Sequence, residues 1–200
     1  MALNFGVMRL VNIAHGDLII LAAYLALTVV TALGLYPLLA LLVVVPAMAV
    51  IGYVLQRVVL NNTLSDDILP PLLVTFGLSV IIQNALLEIY SADPQKLNPG
   101  SFGTASTALG DISLGLLPLL MFATAVAVIG GLQWIFYRTA LGRAFRAVSD
   151  NRDVAQLMGI SKNHVYALAM ALSLAVVAIA GVFLGMRTSF DPSIGGGRLI

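Results

Sequence analysis

The sequence predicts an all-α fold, a polytopic bundle of about five transmembrane helices. Three observations carry that expectation. Hydrophobic residues make up 60% of the 200-residue chain and charged residues only 10%, against roughly 25% charged in an ordinary soluble domain. The apolar residues fall in runs of about 20, the length that crosses about 30 Å of hydrocarbon. Charged residues concentrate between the runs, as they must when lipid is the solvent.

The first run, Val11 to Leu33, follows Arg9 and ends at Gly34-Leu35, a turn short enough to return the chain directly. Tyr36 to Leu60 forms the second run, closed by the polar connector Asn61 to Asp67. The third, Ile68 to Tyr90, opens on Pro70-Pro71 and leads into a loop rich in Pro, Gly and Ser from Ser91 to Asp111. Ile112 to Tyr137 and His164 to Met186 complete the set, separated by Arg138 to Asn163, the most charged stretch of the chain. Pro46, Pro70, Pro71 and Pro118 sit in or at the start of spans, where each removes a backbone donor. The whole chain, 1–200, reads as one transmembrane domain with an inner loop at 138–163.

Orientation follows from the basic residues. Five spans put Arg9, Arg57, Arg138, Arg143, Arg146, Arg152 and Lys162 on one side, and Lys96, Arg187 and Arg198 on the other. The positive-inside rule then predicts a cytoplasmic N-terminus and an outside C-terminus. Trp134 and Tyr137, just before Arg138, fit an aromatic belt at the inner face. A net charge of +1 gives no electrostatic case for nucleic acid, and the absence of cysteine excludes disulfides and thiolate chemistry.

Three groups of residues stand out. Asn12, His15 and Asp17 precede a purely apolar stretch, with Asn12 and His15 sharing a helical face. They read either as a proton relay or as a cluster satisfied by water at the inner interface. Thr75, Ser79 and Gln83 recur every four residues and form a polar stripe, with Asn84 beside it. Such a stripe either lines a substrate path or bonds one helix to another. Gly181-x-x-x-Gly185 allows a close helix approach, at a subunit interface or within the bundle. An intramembrane hydrolase using His15 and Asp17 with Ser79 or Ser173 would need these groups to meet in space, which spacing does not establish.

The inner loop mixes Arg143, Arg146, Asp150, Arg152 and Asp153 with Leu141, Phe145, Val148, Val154, Leu157 and Met158. That is too apolar for a linker and suits a short helix that lies on the membrane or docks in a partner's groove. Here the chain resembles the permease subunits of bacterial ABC importers, whose inner loop bears Glu-Ala-Ala-x-x-x-Gly on a coupling helix; Asp153 to Gly159 stands in that place. Phe5 to Asp17, with its Asn-x-x-His-Gly core, Thr139 to Ala147, and Phe190 to Gly195 sharpen the resemblance toward branched-chain amino-acid importer permeases.

That resemblance implies a multi-pass protein of the bacterial plasma membrane, part of a translocation path shared with a second homologous permease. ATP-binding subunits would drive it and an external substrate-binding protein would deliver leucine, isoleucine or valine. It implies no cofactor, metal or catalytic residue in this chain. The sequence carries no Gly-x-x-x-x-Gly-Lys-Ser/Thr phosphate cradle, so ATP hydrolysis is expected on a separate subunit. Gly142, Arg143, Arg146, Asp153, Ala155 and Gly159 would form the coupling surface, and Thr75, Ser79, Gln83 and Asn84 are the candidates for the path. Members of that family continue beyond both ends of the stretch seen here, so a longer permease truncated at both ends is expected. A urea or short-amide importer permease, and a channel or scaffold without ATP coupling, are the competing readings.

Overall fold

A computed structural model of the protein describes residues 12–63, 69–103, 105–109 and 112–192. Phe5 to Val11, Arg9 among them, Leu64 to Ile68, Asp111, Ser193 to Gly195 and Arg198 lie outside the described residues. Among the described residues five helices are long and apolar enough to cross a membrane: α1 (His15–Leu33), α2 (Pro37–Val58, followed by a 3-10 turn, Leu60–Asn62), α3 (Leu69–Tyr90), α4 (Leu116–Arg138) and α7 (Lys162–Arg187). Between α4 and α7 come two short helices, α5 (Ala140–Asp150) and α6 (Arg152–Leu157). The chain is thus an all-α multi-pass bundle. It includes a small antiparallel hairpin, β1 (Ser106–Leu109) with β2 (Ile112–Gly115), directly before α4. The fourth span therefore starts at Leu116 rather than Ile112.

α7 is the centre. Lipid tails are as apolar as leucine, so helices in a bilayer associate through close packing rather than by escaping water. Small residues make that packing possible here. A Cβ on Gly52 of α2 would stand 2.9 Å from the Met170 carbonyl oxygen and 3.1 Å from Leu174 on α7. On its other side, a Cβ on Gly181 would come within 2.6 Å of the Ile19 carbonyl oxygen and 2.8 Å of Ala22 on α1. Gly185 leaves room for Leu97 and Phe190 in the same way. The Gly181-x-x-x-Gly185 spacing thus serves packing inside this chain.

Two ends are distinguished by what ties them. At one, the outgoing loop is stapled to the end of α7: Gln95 and Phe190 exchange backbone hydrogen bonds of 2.8 and 2.9 Å, and the Leu97 amide donates to the Gly185 carbonyl at 2.9 Å. Tyr24 lies fully buried there, 4.5 Å from Tyr90 and 4.9 Å from Phe190 between ring centroids. At the other end, α5 packs Phe145 and Val148 on Val165, Tyr166 and Ala169 of α7. Arg57, Arg138, Arg143, Arg146, Arg152 and Lys162 all belong to this second end. Lys96 and Arg187 belong to the first.

Candidate functional site

The two polar groups that the sequence presents separately meet in space. Asp17, with 1% of its surface exposed, accepts a hydrogen bond from the Ser79 hydroxyl and another, 2.8 Å long, from the Gln83 side-chain amide. One turn below, the Ile13 amide donates to the Thr75 hydroxyl oxygen at 3.4 Å; far above, the Thr28 and Tyr90 hydroxyls bond each other. All three pairings, Ile13 with Thr75, Asp17 with Ser79 and Thr28 with Tyr90, have the same separation of 62 residues. Two helices can hold one offset over that length only by running parallel and nearly in line, so α1 and α3 form a parallel polar seam.

This register fixes a depth. His15, the first residue of α1, stands level with Gly77, eight residues into α3, or about 12 Å along its axis. α1 therefore opens beside the middle of α3, and Asn12 to Ala14, which are not helical, lie at that depth too. The expectation that Asn12 and His15 share a helical face is corrected here. Asn12 uses its side-chain oxygen to accept from the Ala14 amide at 3.0 Å, and its carbonyl accepts from His15 at 3.3 Å. Asparagine offers the backbone a turn in place of a helix, and this one takes it.

A carboxylate in a membrane helix is expensive, roughly 2.5–3.5 kcal/mol at the centre of a span. Two things offset that cost. Asp17 is in the first turn of α1, where the helix dipole favours an anion, and hydrogen bonds to a charged acceptor are each worth about 1.5–3 kcal/mol. Thr75 and Ser79 are buried on α3 with Pro71, Ile82 and Leu86, one stripe facing α1. Asn84 turns elsewhere: it is exposed and donates to Val80 of its own helix at 2.8 Å. Among the described residues no group of three or more His, Cys, Asp or Glu could hold a metal ion.

The inner loop is two helices, not one. Asn151 adopts extended backbone and caps α6, its side-chain oxygen accepting from the Asp153 and Val154 amides at 3.0 and 3.1 Å. α6 closes on Gly159, whose φ of +83° is the left-handed region. The Gly159 amide bonds the Gln156 carbonyl, and the Ile160 amide bonds Ala155, both at 3.0 Å. That pair of bonds is the usual glycine-terminated helix end. Gly142 is buried where a side chain would collide with the carbonyls of Ile135 and Phe136. Arg146 folds back, bonding the Phe136 carbonyl and lying 5.6 Å over the Tyr137 ring. Arg143 and Asp153 are exposed, while Ala155 is buried.

The most exposed apolar side chains of the loop belong to the mixed apolar set that the sequence presents, but not to the six coupling candidates Gly142, Arg143, Arg146, Asp153, Ala155 and Gly159. Leu157 is 86% exposed and Met158 79%, with Val154 beside them. Their signal was present, apolar residues on the shortest and most polar helix, but nothing in the pattern said which face α5 would occupy.

Over residues 1–197 the chain matches the family described as the permease component of the branched-chain amino acid transport system. The chain belongs to that family. It is similar to the high-affinity branched-chain amino acid transport system permease protein BraD of Pseudomonas aeruginosa, 29% identical over 96% of this chain and 66% of that one. The probable branched-chain amino acid transport permease protein LivH of Methanocaldococcus jannaschii is 28% identical over 92% of this chain and 59% of its own length. A shorter likeness, 35% identity over 43% of this chain and 24% of the other, links it to the autoinducer 2 import system permease protein LsrC of Klebsiella pneumoniae. The chain thus spans about two thirds or less of the length of these permeases. No solved structure matches it.

Proposed function

We propose that this family member is the membrane permease subunit of an ATP-driven importer of branched-chain amino acids. It works with ATP-binding subunits, a second homologous permease and an external binding protein, in a bacterial plasma membrane. The end bearing α5 and α6 is cytoplasmic, as the concentration of Arg and Lys there favours.

The observation that carries the coupling role is the build of the inner loop. Phe145 and Val148 hold α5 against α7, while Leu157 and Met158 of the α6 turn are exposed, unburied by any other described residue. A subunit that grips α6 pulls on α5, and α5 moves with α7. Because α7 is packed tightly on α2 and α1, the pull reaches the α1–α3 seam. Gly142 and Gly159 set the two bends of this lever, and Arg143 and Asp153 are its exposed charges. Arg146 and Ala155 hold its shape.

The translocation path follows the α1–α3 seam. A helix that begins at mid-depth, with Asn12, His15 and Asp17 at its opening and Ser79 and Gln83 across from it, resembles the interrupted helices at which transporters place substrate sites. Thr75 lies at the lower end of the same seam. Cargo is set chiefly by the external binding protein. The likeness to a permease named for autoinducer 2 import favours that view, since membrane subunits of one build serve unlike solutes.

The test is capture of the ATP-binding subunits by the full chain in detergent, compared with a Leu157→Asp, Met158→Asp variant. Loss of capture with an unchanged unfolding midpoint supports the coupling role; undiminished capture favours a channel or scaffold. Competition between leucine and urea for uptake separates the two importer cargoes.

A further inference from the structure

At the joint where α2 ends and α7 begins, the side chains form a connected basic cluster that the transport reading does not use. The Arg57 guanidinium donates to the Tyr53 hydroxyl at 2.7 Å and lies 5.9 Å over the same ring. The Tyr53 hydroxyl is in turn 3.1 Å from His164 Nδ1. One helical turn beyond Arg57, Asn61 donates to the Asn163 carbonyl at 3.2 Å. Tyr53, Arg57 and Asn61 are spaced four apart, so the two ties to α7 bracket Arg57 and hold it against the start of that helix.

Among the described residues no carboxylate pairs with Arg57, Lys162 or His164. Lys162 and His164 stand in the first turn of α7, which contains no acidic residue and whose preceding Ser161 makes no side-chain cap. A helix start carries partial positive charge and leaves amide donors unsatisfied. Lys162 in that turn, with Arg57 held through Tyr53 beside His164, sets basic side chains and free amides where an anion can meet both. Tyr53 holds the Arg57 guanidinium and the His164 ring side by side, the direction of the Tyr53–His164 bond following the imidazole tautomer.

We propose that this cluster binds the phosphate of an anionic phospholipid. The joint is at the end of two membrane spans, the level at which headgroups lie. Next to Arg57, α2 exposes Val50, Val54 and Val58, again four apart. That strip runs from the cluster toward the middle of the span and offers an acyl chain a surface that a soluble phosphate would not use. Head and tail of one amphiphile therefore find adjoining surfaces, and the lipid would brace the α2–α7 joint from outside.

Native mass spectrometry of the full chain in detergent tests this, with phosphatidylglycerol and phosphatidylcholine of identical acyl chains and with inorganic phosphate as the three probes. Phosphatidylglycerol should be retained over phosphatidylcholine. Arg57→Gln and Lys162→Gln should each lower its retention about fivefold, while Arg187→Gln, at the other end of α7, should leave it unchanged. Equal retention of the two lipids, or full retention by both variants, would overturn the proposal. Displacement of phosphatidylglycerol by millimolar inorganic phosphate would overturn the lipid assignment in favour of a soluble anion. Arg57→Lys, which keeps the charge, guards against a folding artefact: it should retain more lipid than Arg57→Gln, and equal loss in the two would count against charge as the cause.

Discussion

α7 and α4 are of similar length and apolarity, yet the structure treats them in opposite ways. More than half of the apolar window of α7 is buried, whereas none of α4 is. The difference is not hydrophobicity. α7 places Gly181 where the α1 backbone comes within van der Waals distance, and it receives Gly52 of α2 on another face. α4 also has glycines, Gly130 and Gly131, but nothing lies within 4 Å of where their Cβ atoms would be. In a bilayer an apolar helix has no reason to leave lipid for protein unless it can be approached closely.

That contrast is broken most directly by filling the notch. Gly181→Leu should destabilise the bundle by about 1–3 kcal/mol through overpacking, because the obstruction is the Ile19 carbonyl oxygen and cannot swing aside. Val126→Leu, at a residue of α4 that is 54% exposed, should change stability by less than about 0.5 kcal/mol. Thermal unfolding in detergent checks both. Equal tolerance at the two sites would mean that α7 is not the packing centre.

The α1–α3 seam makes the next comparison, since α3 meets α1 through polar groups and α7 meets it through close-packed small ones. Asp17→Ala would leave the Ser79 hydroxyl and the Gln83 amide without their acceptor, with an expected loss of about 1–3 kcal/mol. Asp17→Asn keeps an acceptor oxygen and should cost less than half of that. If Asp17 serves the path as well as the seam, the asparagine variant will fold and still lose leucine uptake. Stability and uptake both intact would limit Asp17 to packing.

What could be read from sequence follows the same divide. Apolar runs gave the five spans within a few residues, because length and solvent alone dictate them. The partnership of Asp17 with Ser79 is invisible in one dimension, since 62 residues separate them and each looks equally able to face water. Asn12 and His15 obey helical spacing, but a turn claims Asn12 first. The hairpin before α4 took four residues that hydropathy assigned to the span. In the inner loop the composition announced a helix, whereas the break at Asn151 depends on a cap that a continuous helix would also tolerate. The Gly181-x-x-x-Gly185 spacing told that something comes close and not what.

Gly159 provides a smaller effect in the loop. Its φ is one that a side chain disfavours by about 1–2 kcal/mol, yet nothing lies within 4 Å to clash. Gly159→Val should therefore loosen the end of α6 while leaving the bundle's unfolding midpoint nearly unchanged. If the loop is the proposed lever, an importer assembled with this variant should show ATP hydrolysis by its ATP-binding subunits without matching uptake. Normal coupling would separate the bend from the lever.

Within the seam the smallest expected effect is at its top, where Thr28 and Tyr90 bond each other on the exposed side of the α1–α3 contact. Thr28→Val keeps the shape and the branching and removes only the hydroxyl, which also donates to the Tyr24 carbonyl within α1. Polar contacts between membrane helices average about 0.6 kcal/mol, because the separated helices find other partners for the same groups. A loss of that size confirms that the seam is a row of individually weak bonds, held in register by the helices rather than holding them. A loss several times larger would mean that Tyr90, stacked on the buried Tyr24 ring, depends on Thr28 for its position, so that the bond anchors the aromatic cluster at that end as well as the seam.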